Sequence, residues 1–174
     1  MRSTGKVRRK RNAGFTLTEL LVASALLGMV MAGAVALYLR HQGSLRSTLL
    51  AVQVETEANL AMNRMVYGVG NRRGLRAAEQ ATLANESGGG WTLTYTIPGL
   101  HGAPPQVYAF QYLASERRLV ATPGDLRVGT DIANAVAEVN PGTVSMEITV
   151  EREQGRFASR RTVATFVRLR NWPY

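Results

Sequence analysis

Glu19 is the residue whose placement most needs a chemical explanation, because it is the only charged side chain between Phe15 and Leu39. A carboxylate facing lipid is costly, so an ionisable group within an apolar run points to function, and its partner has to be named. One helical turn earlier stands Phe15, directly after the small pair Ala13-Gly14. A cut between Gly14 and Phe15 would create an α-amino group there, and that ammonium is the natural counter-charge. In a packed array, Glu19 of one subunit would meet the amine of a neighbour. At low dielectric such a pair sets the axial register between subunits more than it adds net stability. The alternative is that Glu19 lies among lipid headgroups, and these residues taken alone leave both readings open.

The element that must position Glu19 is the apolar run itself. Leu20 to Leu39 are 20 residues without a charge, which at ~1.5 Å rise per residue matches the ~30 Å hydrocarbon core of a bilayer. A secretory signal peptide also has a basic start, but its apolar stretch is typically ~7–15 residues and ends at a small-residue cleavage site. Here the small pair precedes the apolar run, so cleavage would remove the basic leader and leave the helix attached. The leader holds Arg2, Lys6, Arg8, Arg9, Lys10 and Arg11 and no acid. By the positive-inside rule this keeps the N-terminus cytoplasmic and sends the C-terminal part across the membrane as a single-pass protein.

The charge therefore reports orientation first. Of the +9 formal charge, six units lie in the leader, and from Phe15 onward 15 Arg stand against 12 Asp and Glu, a net +3. The 174 residues, 45% hydrophobic and 19% charged, suffice for one folded domain and an appendage. There is no cysteine, which excludes disulfides, thiolate nucleophiles and Cys-ligated metal sites. His41 and His101 lie far apart, neither with a carboxylate at ligand spacing. No metal and no cofactor is expected.

The stretch Gly14-Phe15-Thr16-Leu17-Thr18-Glu19-Leu20-Leu21-Val22 resembles the class III leader junction of type IV prepilins and of type II secretion pseudopilins. It departs from the usual pattern at Thr18, where an aliphatic residue is more common. The resemblance implies cleavage after Gly14 by a prepilin peptidase that is also an N-methyltransferase, N-methylation of Phe15, and a role for Glu19 in filament assembly. It further implies an inner-membrane assembly platform and other pilin or pseudopilin subunits as partners, with membrane lipid surrounding the helix before assembly.

Beyond the apolar run, Leu50, Val54, Ala58, Ala61, Met65 and Val69 recur at spacings of three and four with polar residues between them, an amphipathic helical pattern. No proline occurs before Pro98, so one nearly continuous helix is expected from about Phe15 to Val69, with Gly28, Gly33 and Gly43 as candidate bends and Gly68 to Gly74 ending it. Gly28, Ala32 and Gly33 would let neighbouring helices approach closely. Residues 71–90 read as a linking loop with a helical turn near Ala77 to Leu83. The period then changes to two. Trp91 to Ile97 alternates large apolar residues with threonines, and Val107 to Leu113 places Tyr108, Phe110 and Tyr112 on one side. Arg117 to Ala121 and Val136 to Val139 are further strands, and Val144 to Arg152 with Arg160 to Leu169 form a hairpin around Gly155.

The expected fold is α+β and type IV pilin-like, a long N-terminal helix packed on an antiparallel sheet of about five strands. Its parts are a cleaved basic leader (1–14), a transmembrane or filament-core helix (15–40), its amphipathic continuation (41–70), the linking loop (71–90) and the sheet domain (91–174). The closing Thr165-Phe166-Val167-Arg168-Leu169-Arg170-Asn171 is similar to the last stretch of W-type minor pilins and J-type pseudopilins. The expected function is that of a minor pilin-like structural subunit of a type IV pilus, held in the inner membrane and then moved into the filament. The alternatives are a type II secretion pseudopilin and a competence pilus subunit that binds DNA.

Enzymatic readings find no support. The sequence contains no G-x-S-x-G, P-loop, H-E-x-x-H or dinucleotide motif, and no lysine after Lys10. Gly88-Gly89-Gly90 lacks the helix and cation of a phosphate cradle and reads as a flexible linker. Asp125, Asp131 and Glu138, with Gly129 and Asn134, offer oxygens at spacings unlike an EF-hand. Arg72, Arg73 and Arg76 form the candidate DNA contact, with Arg117-Arg118, Arg160-Arg161, Trp172 and Tyr174 as weaker companions. Solvated arginines explain them as well, because +3 is a weak electrostatic footprint.

Overall fold

The structure is a computed structural model and describes residues 16–99 and 103–170. One helix dominates the N-terminal part: α1, Leu17–Tyr67, 51 residues long. It runs unbroken through Gly28, Gly33 and Gly43, the candidate bends. The chain separates into two compact units, Met1–Ser44 and Leu45–Tyr174, with the division inside α1. In the first unit the helical side chains are almost all exposed.

In the second unit, α1 buries one face. Leu50, Val54, Ala58, Ala61, Met62 and Met65 are buried, at the three-and-four spacing that the sequence predicts. The helix stops at Gly68, whose φ of +116° an L side chain rarely adopts and where a Cβ would fall 1.8 Å from the Arg72 carbonyl oxygen. Amides beyond the end are tied back, Gly68 N–H to Arg64 O at 2.9 Å and Gly74 N–H to Tyr67 O at 3.0 Å. This satisfies carbonyls that the last turn leaves without intrahelical partners.

Eight antiparallel strands follow among the described residues. β1 (Gln80–Asn85), β2 (Trp91–Ile97), β3 (Gln106–Leu113), β4 (Arg118–Thr122) and β5 (Leu126–Gly129) form one sheet in that order, and β6 (Ile132–Asn140), β7 (Thr143–Gln154) and β8 (Phe157–Arg168) form a second. The fold is α+β, as expected from the sequence. On β2, Trp91, Leu93, Tyr95 and Ile97 are all buried, matching the alternation with threonine. Facing aromatics from β3 join them, with Phe110 stacked on Tyr95 at 5.1 Å between ring centroids. The sheets are tied by Trp91 Nε1–H to Ala135 O at 2.8 Å and Tyr112 O–H to Ile132 O at 3.3 Å. The buried faces of both sheets and of α1 contribute to one apolar cluster. At β5 the helix comes so close that a Cβ on Gly129 would lie 2.9 Å from the Ala61 Cβ.

Four expectations need correction. A single sheet of about five strands is replaced by sheets of five and three. Residues 71–90 are not a plain linking loop: they hold a 3-10 turn at Leu75–Ala77 and all of β1, which pairs residue by residue with β2. The helical turn near Ala77 to Leu83 accordingly gives way to this short turn and an extended strand. Gly88-Gly89-Gly90 belongs to the β1–β2 hairpin, with Gly88 and Gly89 at φ +103° and +83° and Glu86 N–H bonded to Gly90 O at 2.8 Å, rather than a free linker. β1 escaped the sequence reading because it is an edge strand of small and polar residues with only Ala81 and Leu83 half-buried. β5 escaped because it has four residues after the Pro123-Gly124 turn.

Candidate functional site

The described chain begins next to the predicted cleavage point. Gly14 and Phe15 lie outside the described residues, whereas Glu19 sits in the first turn of α1. Thr16 precedes the helix, and the two residues hold one another. The Thr16 amide donates to Glu19 Oε2 at 2.9 Å, the Thr16 hydroxyl donates to the same oxygen at 3.0 Å, and the Glu19 amide donates to Thr16 Oγ1 at 3.3 Å. This is the reciprocal capping box that a threonine and a glutamate three apart form at a helix N-terminus. The negative charge also lies at the positive end of the helix dipole.

The sequence reading did not find this pairing, although the signal was present in Thr16-x-x-Glu19. It changes what Glu19 can do. The carboxylate is fixed at the head of the helix by its own chain while remaining exposed, so an incoming cation would meet an oriented acceptor. Beside it, Thr18, Val22, Ala23 and Leu26 line a shallow groove with Glu19. Further along, Leu20, Leu27, Met29, Val30 and Leu37 are exposed. A Cβ built on Gly28 or Gly33 would meet no atom within 4 Å, and Ala32 is likewise exposed. By length and composition α1 can cross a membrane, and none of its most apolar 18-residue window is buried in the chain.

The arginines singled out for DNA are used differently from one another. Arg72 is half-buried with its guanidinium 5.9 Å from the Tyr108 ring, and its Nη1 is buried with no hydrogen-bond partner among the described residues. Arg76 lies over Tyr67 at 5.5 Å and donates to its hydroxyl at 3.4 Å. Arg73 has an exposed side chain, and its carbonyl accepts the Tyr95 hydroxyl at 3.1 Å. Burial, reinforced by Tyr108, pushes the Tyr95 phenol up, against a smaller opposing effect of Arg72.

Among the acids weighed for calcium, Asp131 is engaged by Arg152, whose Nε donates to Oδ2 at 2.8 Å while Nη2 contacts the same oxygen. Arg152 Nη2 also reaches both carboxylate oxygens of Glu57 on α1 at 3.0 Å. These three groups form a structural tie between helix and sheet. Among the described residues there is no cluster of three or more His, Cys, Asp and Glu that could hold a metal.

The family described as the prokaryotic N-terminal methylation motif matches residues 9–35. No curated protein and no solved structure matches the chain. The matched segment contains the Gly14-Phe15 junction, the Thr16–Glu19 capping box and most of the apolar run. The motif implies processing by prepilin peptidase and assembly with other pilin subunits. Over residues 9–35 that motif indicates the type IV pilin-like and pseudopilin family, and the apolar helix that fits a membrane anchor and the α+β fold of the rest are consistent with it.

Proposed function

We propose that this chain is a minor pilin-like structural subunit of a type IV pilus. It is made with its basic leader in the cytoplasm, stored in the inner membrane by the first part of α1, cleaved between Gly14 and Phe15, methylated on Phe15 and added to the filament on an inner-membrane platform. The observation that carries this reading is an oriented carboxylate, Glu19, at the head of a helix whose most apolar stretch finds no cover among the described residues. Lipid covers such a helix before assembly. In a filament the equivalent helices of neighbours replace lipid, and Gly28, Ala32 and Gly33 admit them closely. The Phe15 amine of one subunit then neutralises Glu19 of the next, so that adding a subunit out of register strands a charge.

The reading is tested with Glu19→Val in the native host. The variant should insert and be cleaved normally yet be absent from sheared filaments, and normal incorporation would refute the role of Glu19. The same parts suit a type II secretion pseudopilin, and loss of protein secretion with intact pili on deletion of the gene would favour that machine. The arginine cluster gives a weaker case for DNA uptake, since Arg72 and Arg76 are occupied with Tyr108 and Tyr67. A change of Arg72, Arg73 and Arg76 together that impaired uptake but not piliation would support it.

A further inference from the structure

The edge strands are β1 and β5 in the first sheet and β6 and β8 in the second. A row of unpaired N–H and C=O groups on such an edge is a template for another strand, and native proteins ordinarily blunt it. On β5 the Arg64 guanidinium donates to the Val128 carbonyl at 2.9 Å. On β6 the Trp91 indole N–H and the Tyr112 hydroxyl donate to the carbonyls of Ala135 and Ile132. β1 is short and lies beside β6.

β8 carries no cap of this kind along most of its length. It has 12 residues, contains no proline, and pairs with β7 without a register shift. The Leu169 amide, bonded to Gly142 O at 2.9 Å, extends that register by one pair and fixes its phase. Odd-numbered residues of β8 therefore turn their backbone groups to β7, and even-numbered residues turn theirs outward. Arg170, the next outward residue, accordingly donates to Ala78 O at 2.7 Å. From Ala158 to Phe166 the outward groups have no backbone partner among the described residues. The side chains of Ala158, Arg160, Thr162, Ala164 and Phe166 are all exposed, Phe166 by 78%.

The charge around this edge has one sign. From Gly155 to Tyr174 there are five arginines and no acid. Arg161 reaches Glu55 on α1 at 3.4 Å, whereas Arg160 is exposed and, although opposite Glu151 in the register, makes no ion pair among the described residues. Two copies of β8 laid edge to edge would bring only positive charges together, which opposes self-pairing. We infer that the free edge of β8 takes up an extended acidic segment of a different polypeptide, which joins the second sheet as a further strand. Main-chain bonds along 158–166 attach the segment, its carboxylates meet Arg160, and its apolar residues meet Ala164 and Phe166. Nucleic acid would suit the arginines but not the outward carbonyls, since a carbonyl and a phosphate oxygen are both acceptors. The inference concerns the second unit alone, so it goes beyond the proposed function and does not depend on it.

The test titrates the full chain in detergent with a synthetic peptide that alternates Val and Glu. Two controls accompany it, the same peptide with Lys for Glu and the Val–Glu peptide N-methylated on every amide. The Val–Glu peptide should bind and slow hydrogen exchange at the amides of Arg160, Thr162, Ala164 and Phe166. Both controls should bind at least about tenfold more weakly. Ala164→Pro removes an outward N–H and none that faces β7, so it should weaken the Val–Glu peptide while the folded unit still melts cooperatively. Arg160→Glu should shift the preference toward the Lys peptide. The N-methylated control leaves the chain unaltered and decides the matter even if a variant fails to fold. Equal binding of that control overturns the inference, as does binding of the Val–Glu peptide that protects no β8 amide. A single-stranded oligonucleotide that protects these amides where the peptide does not would also overturn it, and so would protection by self-association without peptide.

Discussion

The two halves of α1 use similar residues for opposite ends. From Leu17 to Ser44 the helix is rich in Leu, Val, Met and Ala and buries none of its most apolar window, whereas from Leu45 to Tyr67 six residues of the same types vanish beneath the sheets. Hydrophobic burial drives folding only where the chain supplies both surfaces. Where it supplies one, the missing surface is lipid or another subunit. On the proposed function the first half serves assembly, whereas the buried face of the second half serves stability, and substitutions in these two places should separate the quantities.

The largest effect falls at the leader. Gly14→Glu should block cleavage, leave the leader attached and reduce filament incorporation to nothing, with thermal unfolding of the folded unit unchanged, as judged by gel mobility and calorimetry on the membrane-extracted protein. In the second half the pattern reverses. Met65→Ala, at a fully buried position, should cost about 2–5 kcal/mol of unfolding free energy while insertion and cleavage proceed normally. A loss of processing in that variant would break the separation between the halves.

A smaller effect is expected at the Glu57–Arg152–Asp131 tie, which is about one-third exposed. Arg152→Ala should destabilise by about 1–2 kcal/mol, since charge-assisted hydrogen bonds at partly exposed positions contribute on that order. The effect should persist in Glu57→Gln only in part, because Asp131 keeps its hydrogen bonds. The smallest is a dependence on alkaline pH. Tyr95 is raised above its ordinary pKa of 10.0 chiefly by burial. Its contribution is therefore complete below about pH 10 and is lost as pH rises through the folded-state value. Denaturant melts above pH 10 should show this decline, and Tyr95→Phe should flatten it.

Much of this division is legible from residue order. The period of the Leu50 to Met65 stripe, the alternation of Trp91 to Ile97 and the hairpin around Gly155 reproduce closely in the fold, since each is a local pattern with one buried face. Strands without such a face were not legible. β1 is an edge strand of Gln, Ala, Thr and Asn, and β5 is too short to show a period. The split into two sheets depends on which strands pair over long separations, and no local pattern carries that. At the candidate site, Glu19 stood out by its charge alone. The Thr16 partnership that holds the carboxylate is visible only in the folded helix terminus, although its spacing is that of a capping box.

The most direct test of the account is intact-mass and N-terminal analysis of the protein purified from membranes of its native host. A chain that begins at methylated Phe15 is the predicted result, leaving the apolar helix attached and Glu19 four residues from a new amine. A chain that still begins at Met1, or one cut after Leu39, would contradict it, because either would leave Glu19 without the ammonium on which assembly is proposed to depend.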